Sequence, residues 1–151
     1  MNKLTKILFL FILLGSLSVL CYAQETEQYK DIDNQGNSIT ARTAFEKIEG
    51  SISAGNVEGL SGYFSSQMYL SLSNGISGYY SSNQAYYVLQ DFFKIYHVTD
   101  FRFNNIKDDE DNVYATGLYN FIFKEKRESA QVYVSIKLTG KEWKITQLTI
   151  N

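Results

Sequence analysis

The C-terminal stretch from Asn112 to Asn151 reads as three consecutive β-strands joined by two polar turns, and that pattern leaves few folds open to the chain. Side chains alternate across a strand, so Val113, Ala115, Gly117, Tyr119, Phe121 and Phe123 share one face of the first strand. Tyr114, Thr116, Leu118, Asn120, Ile122 and Lys124 share the other. The second strand sets Ala130, Val132, Val134, Ile136 and Leu138 against Ser129, Gln131, Tyr133, Ser135 and Lys137. Strict alternation in the third puts Trp143, Ile145, Gln147 and Thr149 opposite Lys144, Thr146, Leu148 and Ile150. Short turns permit antiparallel pairing, whereas parallel pairing needs a long crossover, so an antiparallel meander is expected. The upstream residues must then cover one face of that sheet.

The first residues are of another kind. Lys3 and Lys6 precede the apolar run Ile7 to Leu14, with Leu17, Val19 and Leu20 beyond it, and Cys21-Tyr22-Ala23 offers small residues where a signal peptidase cuts. This predicts a signal peptide over 1–23 cleaved after Ala23, with export to the periplasm or medium and no membrane span left after cleavage. Gly15, Ser16 and Ser18 interrupt the run, which is short for a retained anchor. Leu20 is too bulky for the position before a lipidated cysteine, which argues against acylation at Cys21. Cys21 is the one cysteine, so the mature chain has no thiol chemistry and no disulfide. Removing Lys3 and Lys6 from the 14 basic residues leaves 12 against 16 acidic ones, a formal charge of −4 that argues against nucleic acid as a partner.

Residues 24–37 are polar and predict a flexible leader, and 38–151 form one domain. Within the leader, Asp31-x-Asp33-x-Gln35 resembles a calcium loop but lacks the closing glutamate, since Arg42 stands there. A helix is predicted from Ser38 to Ala54, because Ala41, Phe45, Ile48 and Ile52 recur at helical steps and Ala44 widens the stripe. Gly55 ends it, and Asn56 caps a short second helix carrying Val57, Leu60 and Phe64. Met68, Leu70 and Leu72 alternate up to Asn74-Gly75, a hairpin signal, and Ile76 to Tyr80 return. Ser81 with Gln84 forms a capping box ahead of a helix bearing Ala85, Val88, Leu89, Phe92, Phe93 and Tyr96. A strand follows from His97 to Ile106, and the acidic run Asp108 to Asp111 reads as a solvated turn.

Helix, short helix, small hairpin, helix and four strands is an order that resembles the nuclear transport factor two-like superfamily, an α+β fold in which a curved antiparallel sheet wraps around about three helices as a cone. The residues that carry the likeness are Gly55-Asn56-x-x-x-Leu60-x-x-Tyr63-Phe64, the capped helix at Ser81, and Gly140-Lys141-Glu142-Trp143-Lys144-Ile145-x-x-Leu148-x-Ile150. Within the superfamily the chain is most similar to small exported bacterial proteins of a domain of unknown function. Enzymes of the superfamily, such as ketosteroid isomerase and the polyketide cyclases, hold carboxylates with a tyrosine or histidine inside the cone to move protons.

The residues expected at those inward positions are apolar here: Ala41, Ala44, Phe45, Ile48 and Ile52 on the first helix, Leu70 and Leu72 on the hairpin. His97 and Asp100 are the remaining candidates for proton transfer, and His97 also suits a cap on the carbonyls ending its helix. The residue pattern implies no cofactor and no metal. The expected function is a non-catalytic module that binds an apolar small molecule or a protein partner, with a small-molecule enzyme of the isomerase or cyclase type as the alternative. Its 12 tyrosines cannot all enter one small core. The resemblance implies a homodimer through the outer sheet face, which directs attention to Tyr119, Tyr133 and Trp143 as binding residues. The first expectation to check is export: N-terminal sequencing of the protein recovered outside the cytoplasm should begin at Gln24. A chain starting at Met1, or one blocked by acylation at Cys21, contradicts the assignment.

Overall fold

The computed structural model describes residues 40–109 and 112–151, so the expected signal peptide, leader and Cys21 lie outside the described residues. Helix α1 spans Ala41–Ser53 and opens at Thr40, whose hydroxyl accepts the Thr43 amide at 3.2 Å. Its inward stripe is the expected one, with Ala41, Ala44, Phe45, Ile48 and Ile52 all buried. Gly55, at φ +60, turns the chain into α2, Val57–Ser61, where the Asn56 side chain accepts from the Gly59 amide at 3.1 Å. Strands β1, Phe64–Leu72, and β2, Ser77–Ser81, flank the turn at Asn74-Gly75, closed by a Leu72 amide bond to Ile76 O at 2.8 Å. Helix α3 is Ser82–Ile95, and both halves of the capping box form between Ser81 and Gln84. The remaining strands are β3, His97–Asp109; β4, Asn112–Phe123; β5, Lys126–Thr139; and β6, Glu142–Ile150.

The six strands make one curved sheet in the order β2-β1-β6-β5-β4-β3. Strands β3 to β6 form the expected antiparallel meander. The contact that joins the first hairpin to it is different: β1 runs parallel to β6, from Phe64↔Ile145 to Leu72↔Ile150, so the sheet is mixed rather than wholly antiparallel. The long intervening chain, with α3 inside it, supplies the crossover that parallel pairing requires.

Bulges shape the sheet. Between Ser135↔Gln147 and Ile136↔Ile145 one extra residue, Thr146, is inserted in β6. That single insertion corrects the expected face assignment, because Ile145, Leu148 and Ile150 are all fully buried although strict alternation would split them. Two further shifts fall in β3, at Thr99 and Asn104. Each bulge bends its strand and raises the local twist, which lets a long strand follow the helices it covers.

The core joins α1 and α3 to one face of the sheet: Met68, Leu70 and Leu72 from β1, Ala115, Tyr119 and Phe121 from β4, Val132, Val134 and Ile136 from β5. Strand β3 is one edge of the sheet, whose unpaired backbone groups would otherwise invite another chain. Helix α1 meets that need with side chains. The Phe103 amide donates to the Glu49 carboxylate at 2.7 Å, and the Ser53 hydroxyl donates to the Phe101 carbonyl at 2.8 Å.

Gly117 faces inward beside Phe101 and Arg102 of β3. A Cβ there would run into the Arg102 carbonyl oxygen and come within 3.0 Å of the Phe101 ring. Gly117→Ala should therefore lower unfolding free energy by about 1–3 kcal/mol in urea titration. Gly50→Ala, on the open face of α1 with nothing within 4 Å, should raise it by about 0.5–1 kcal/mol. Equal responses at the two glycines would contradict the close approach.

Candidate functional site

The interior is the first place to look, since a cone-shaped enzyme would keep its proton-moving groups there. Strand β4 sends Tyr119 inward, opposite Phe101 on one side and Ala130 on the other, both buried. The expectation that Tyr119 belongs to the outer face is therefore corrected: it shares the inward parity of Ala115 and Phe121 and is fully buried. Its hydroxyl donates to the Tyr96 carbonyl at 2.7 Å, at the end of α3. Phe93 stacks on its ring at 6.2 Å between centroids, and Phe121 lies tilted at 5.5 Å. Burial pushes its ionisation above the ordinary tyrosine value. A neutral donor already engaged with a helix end is a structural group. Among the described residues every buried side-chain polar atom has a hydrogen-bond partner.

His97 and Asp100 do not enter the cone. They pair with Ile122 and Asn120, on the outward side of β4, and both are exposed. The bulge at Thr99 keeps them on one face of the edge strand although they are an odd number of residues apart. Asp100 thus stands on the outer margin of the sheet, while His97, the first residue of β3, also borders the end of α3 next to Phe93.

The outer face of the sheet is organised by register. One row runs Tyr79, Tyr69, Gln147, Ser135, Tyr114 across β2, β1, β6, β5 and β4. The next runs Ser77, Ser71, Thr149, Tyr133, Thr116. No residue in these rows carries a charge, and the first one met is Lys107 on β3. Tyrosines pair diagonally or across strands, Tyr114 stacked on Tyr133 at 5.3 Å and Tyr69 edge-on to Tyr79 at 5.2 Å. Hydroxyls and amides are tied to one another: Tyr69 shares a 2.8 Å hydrogen bond with Ser77, and the Asn151 amide donates to Ser71 at 3.0 Å. Tyr133 lies on this surface between Thr149 and Thr116. The row structure depends on pairing between distant strands and carries no local signal beyond the tyrosine content.

Trp143 lies elsewhere. It pairs with Leu138 and shares the parity of Ile145, so it is on the helix-covered side and packs against the margin of the core. Expecting it on the outer face is corrected for that reason. With Gly62, Tyr63, Lys141 and Glu142 it lines a cleft of 270 Å³ at one end of the sheet. Lys144 fastens that corner, donating to the Gly62 carbonyl at 2.9 Å and pairing with Glu142 at 2.9 Å. A second, larger cleft of 430 Å³ opens between α2 and α3, with Val57 and Phe93 as apolar lining and Glu58, Tyr86, Gln90, Lys94 and His97 around them. Sequence reading singled out only His97 of this group, because the others come from two helices far apart in the chain.

Comparison with known proteins places this arrangement. A solved DUF4783 family protein from Bacteroides uniformis superposes with a TM-score of 0.64 at 19% identity, over 70% of this chain and 94% of its own. Another from Bacteroides ovatus gives 0.62 at 20%, over 76% and 96%. A hypothetical protein with a ketosteroid isomerase-like fold from Catenulispora acidiphila, solved in complex with trimethylamine, gives 0.57 at 11%, over 71% and 82%. These likenesses support the nuclear transport factor two-like, cone-shaped α+β fold. No curated protein sequence matches the chain. The family model for the domain of unknown function DUF4783 matches residues 45–151, and the chain belongs to that family.

Proposed function

We propose that this is an exported, non-catalytic binding module that works through the outer face of its sheet, with a second copy of the chain as its occupant. The observation that carries the reading is the charge-free surface made by the two cross-strand rows around Tyr133 and Thr149. In a two-fold dimer each residue near the axis meets its own copy, so any charge there faces a like charge. The mature chain, with 12 basic and 16 acidic residues, repels itself over most of its surface. A patch of hydroxyls, amides and tyrosine rings is where two copies approach without that penalty. Tyrosine brings apolar area and a polar tip at low entropic cost, which suits such a contact.

The interior supports the same reading. Ionisable groups converging on a hollow would favour a proton-transfer enzyme of the isomerase type. Here Tyr119 is committed to the Tyr96 carbonyl, and His97 and Asp100 face outward from β3.

Light scattering and sedimentation across a concentration series test the proposal. The exported protein should dimerise, and Tyr133→Arg should weaken the dimer at least about tenfold, ~1.4 kcal/mol, with its circular dichroism spectrum unchanged. Lys137→Glu, outside the two rows, should leave the dimer intact. A strict monomer at millimolar concentration, or a dimer indifferent to Tyr133→Arg, would overturn it.

A further inference from the structure

The cleft between α2 and α3 is independent of the outer rows and has its own chemistry. Its α3 wall is a stripe: Tyr86, Gln90, Phe93 and Lys94 fall at steps of four, three and one, and His97 continues the line where β3 begins. This stripe borders the core-facing one, so Phe93 belongs to both and is 7% exposed. The opposite wall is fixed by the turn at Gly55 and the Asn56 cap on Gly59, which hold Val57 down, 6% exposed, and leave Glu58 outward. The result is an apolar floor between an acidic wall and a basic one.

The charges are not used up by each other. Lys94 pairs with Asp91 at 3.3 Å on its own helix, with both side chains more than half exposed, and touches the Gln90 amide at 3.5 Å. Among the ion pairs of the described residues Glu58 does not appear. An exposed pair such as Lys94 with Asp91 contributes little, so it yields readily to a better-placed anion. The cleft volume of 430 Å³ falls within the ordinary span for small-molecule sites.

We infer that this cleft binds a small zwitterion, a free amino acid or dipeptide with an apolar side chain. Glu58 receives the ammonium group, while Lys94 and the His97 imidazole receive the carboxylate. The side chain rests on Phe93 and Val57, and the Tyr86 hydroxyl and Gln90 amide serve the peptide group of a dipeptide. A ligand bearing one charge only satisfies one wall and leaves the other solvated, which sets the preference for both.

The test is a nitrogen-15 correlation titration of the mature protein with leucine, phenylalanine and the dipeptide Ala-Phe, beside N-acetyl-Ala-Phe and Ala-Phe amide. At least one free zwitterion should produce saturable shifts at Val57, Glu58, Gln90, Lys94 and His97. Acetylation or amidation should each weaken binding at least about tenfold. Glu58→Gln should weaken the free dipeptide and leave the acetylated one unchanged, and Lys94→Gln should weaken the free dipeptide and leave the amide unchanged. The inference is overturned if none of the three zwitterions gives saturable shifts at these residues. Capped peptides binding as tightly as free ones, or both variants retaining full affinity, would overturn it as well.

Discussion

One hydrogen bond, from the Tyr119 hydroxyl to the Tyr96 carbonyl, fixes how the helical layer and the sheet meet. The carbonyls ending a helix need partners, and a buried one left alone is costly. Tyr119 supplies that partner from the middle of β4 and brings its ring into contact with Phe92, Phe93 and Phe121. Tyr96 then stacks on Phe92 at 4.5 Å and on Phe123 at 4.8 Å, so the end of α3 is locked into the aromatic layer. Because burial raises the ionisation of Tyr119 above its ordinary 10.0, the unfolded chain releases that proton first. The stability this group contributes is complete below pH 10.0 and declines as pH rises beyond it.

The same constraint engages within the fold the one tyrosine hydroxyl that is fully buried among the described residues. Among these residues every buried side-chain polar atom is satisfied, and polar groups line the outer rows, the α2–α3 cleft and the cleft at Trp143. Edge protection follows the same division. Helix α1 covers β3 with Glu49 and Ser53, and the other edge is β2, only five residues long.

Much of the fold was legible in the chain because its signals are local. The stripe of α1, the Ser81 and Gln84 capping box, the Asn74-Gly75 turn and the alternation of β4 and β5 each depend on residues a few positions apart. What stayed hidden depends on distant pairing. The parallel contact of β1 with β6 joins segments separated by most of the domain. The Thr146 bulge swaps the faces of β6 at a position whose own sequence looks like ordinary alternation. Tyr119 shows a different limit: its parity was readable, yet tyrosine suits both a binding face and a core, and only the register with Phe101 and Ala130 decides between them. The α2–α3 cleft was illegible except at His97, since no motif links Glu58 to Lys94.

Tyr119→Phe tests the central claim most directly, because it removes one oxygen and leaves the ring packing in place. Urea unfolding of this variant should show a loss of about 1–3 kcal/mol, the cost of leaving the Tyr96 carbonyl unpaired in an apolar layer. Stability equal to that of the unaltered chain would contradict the account.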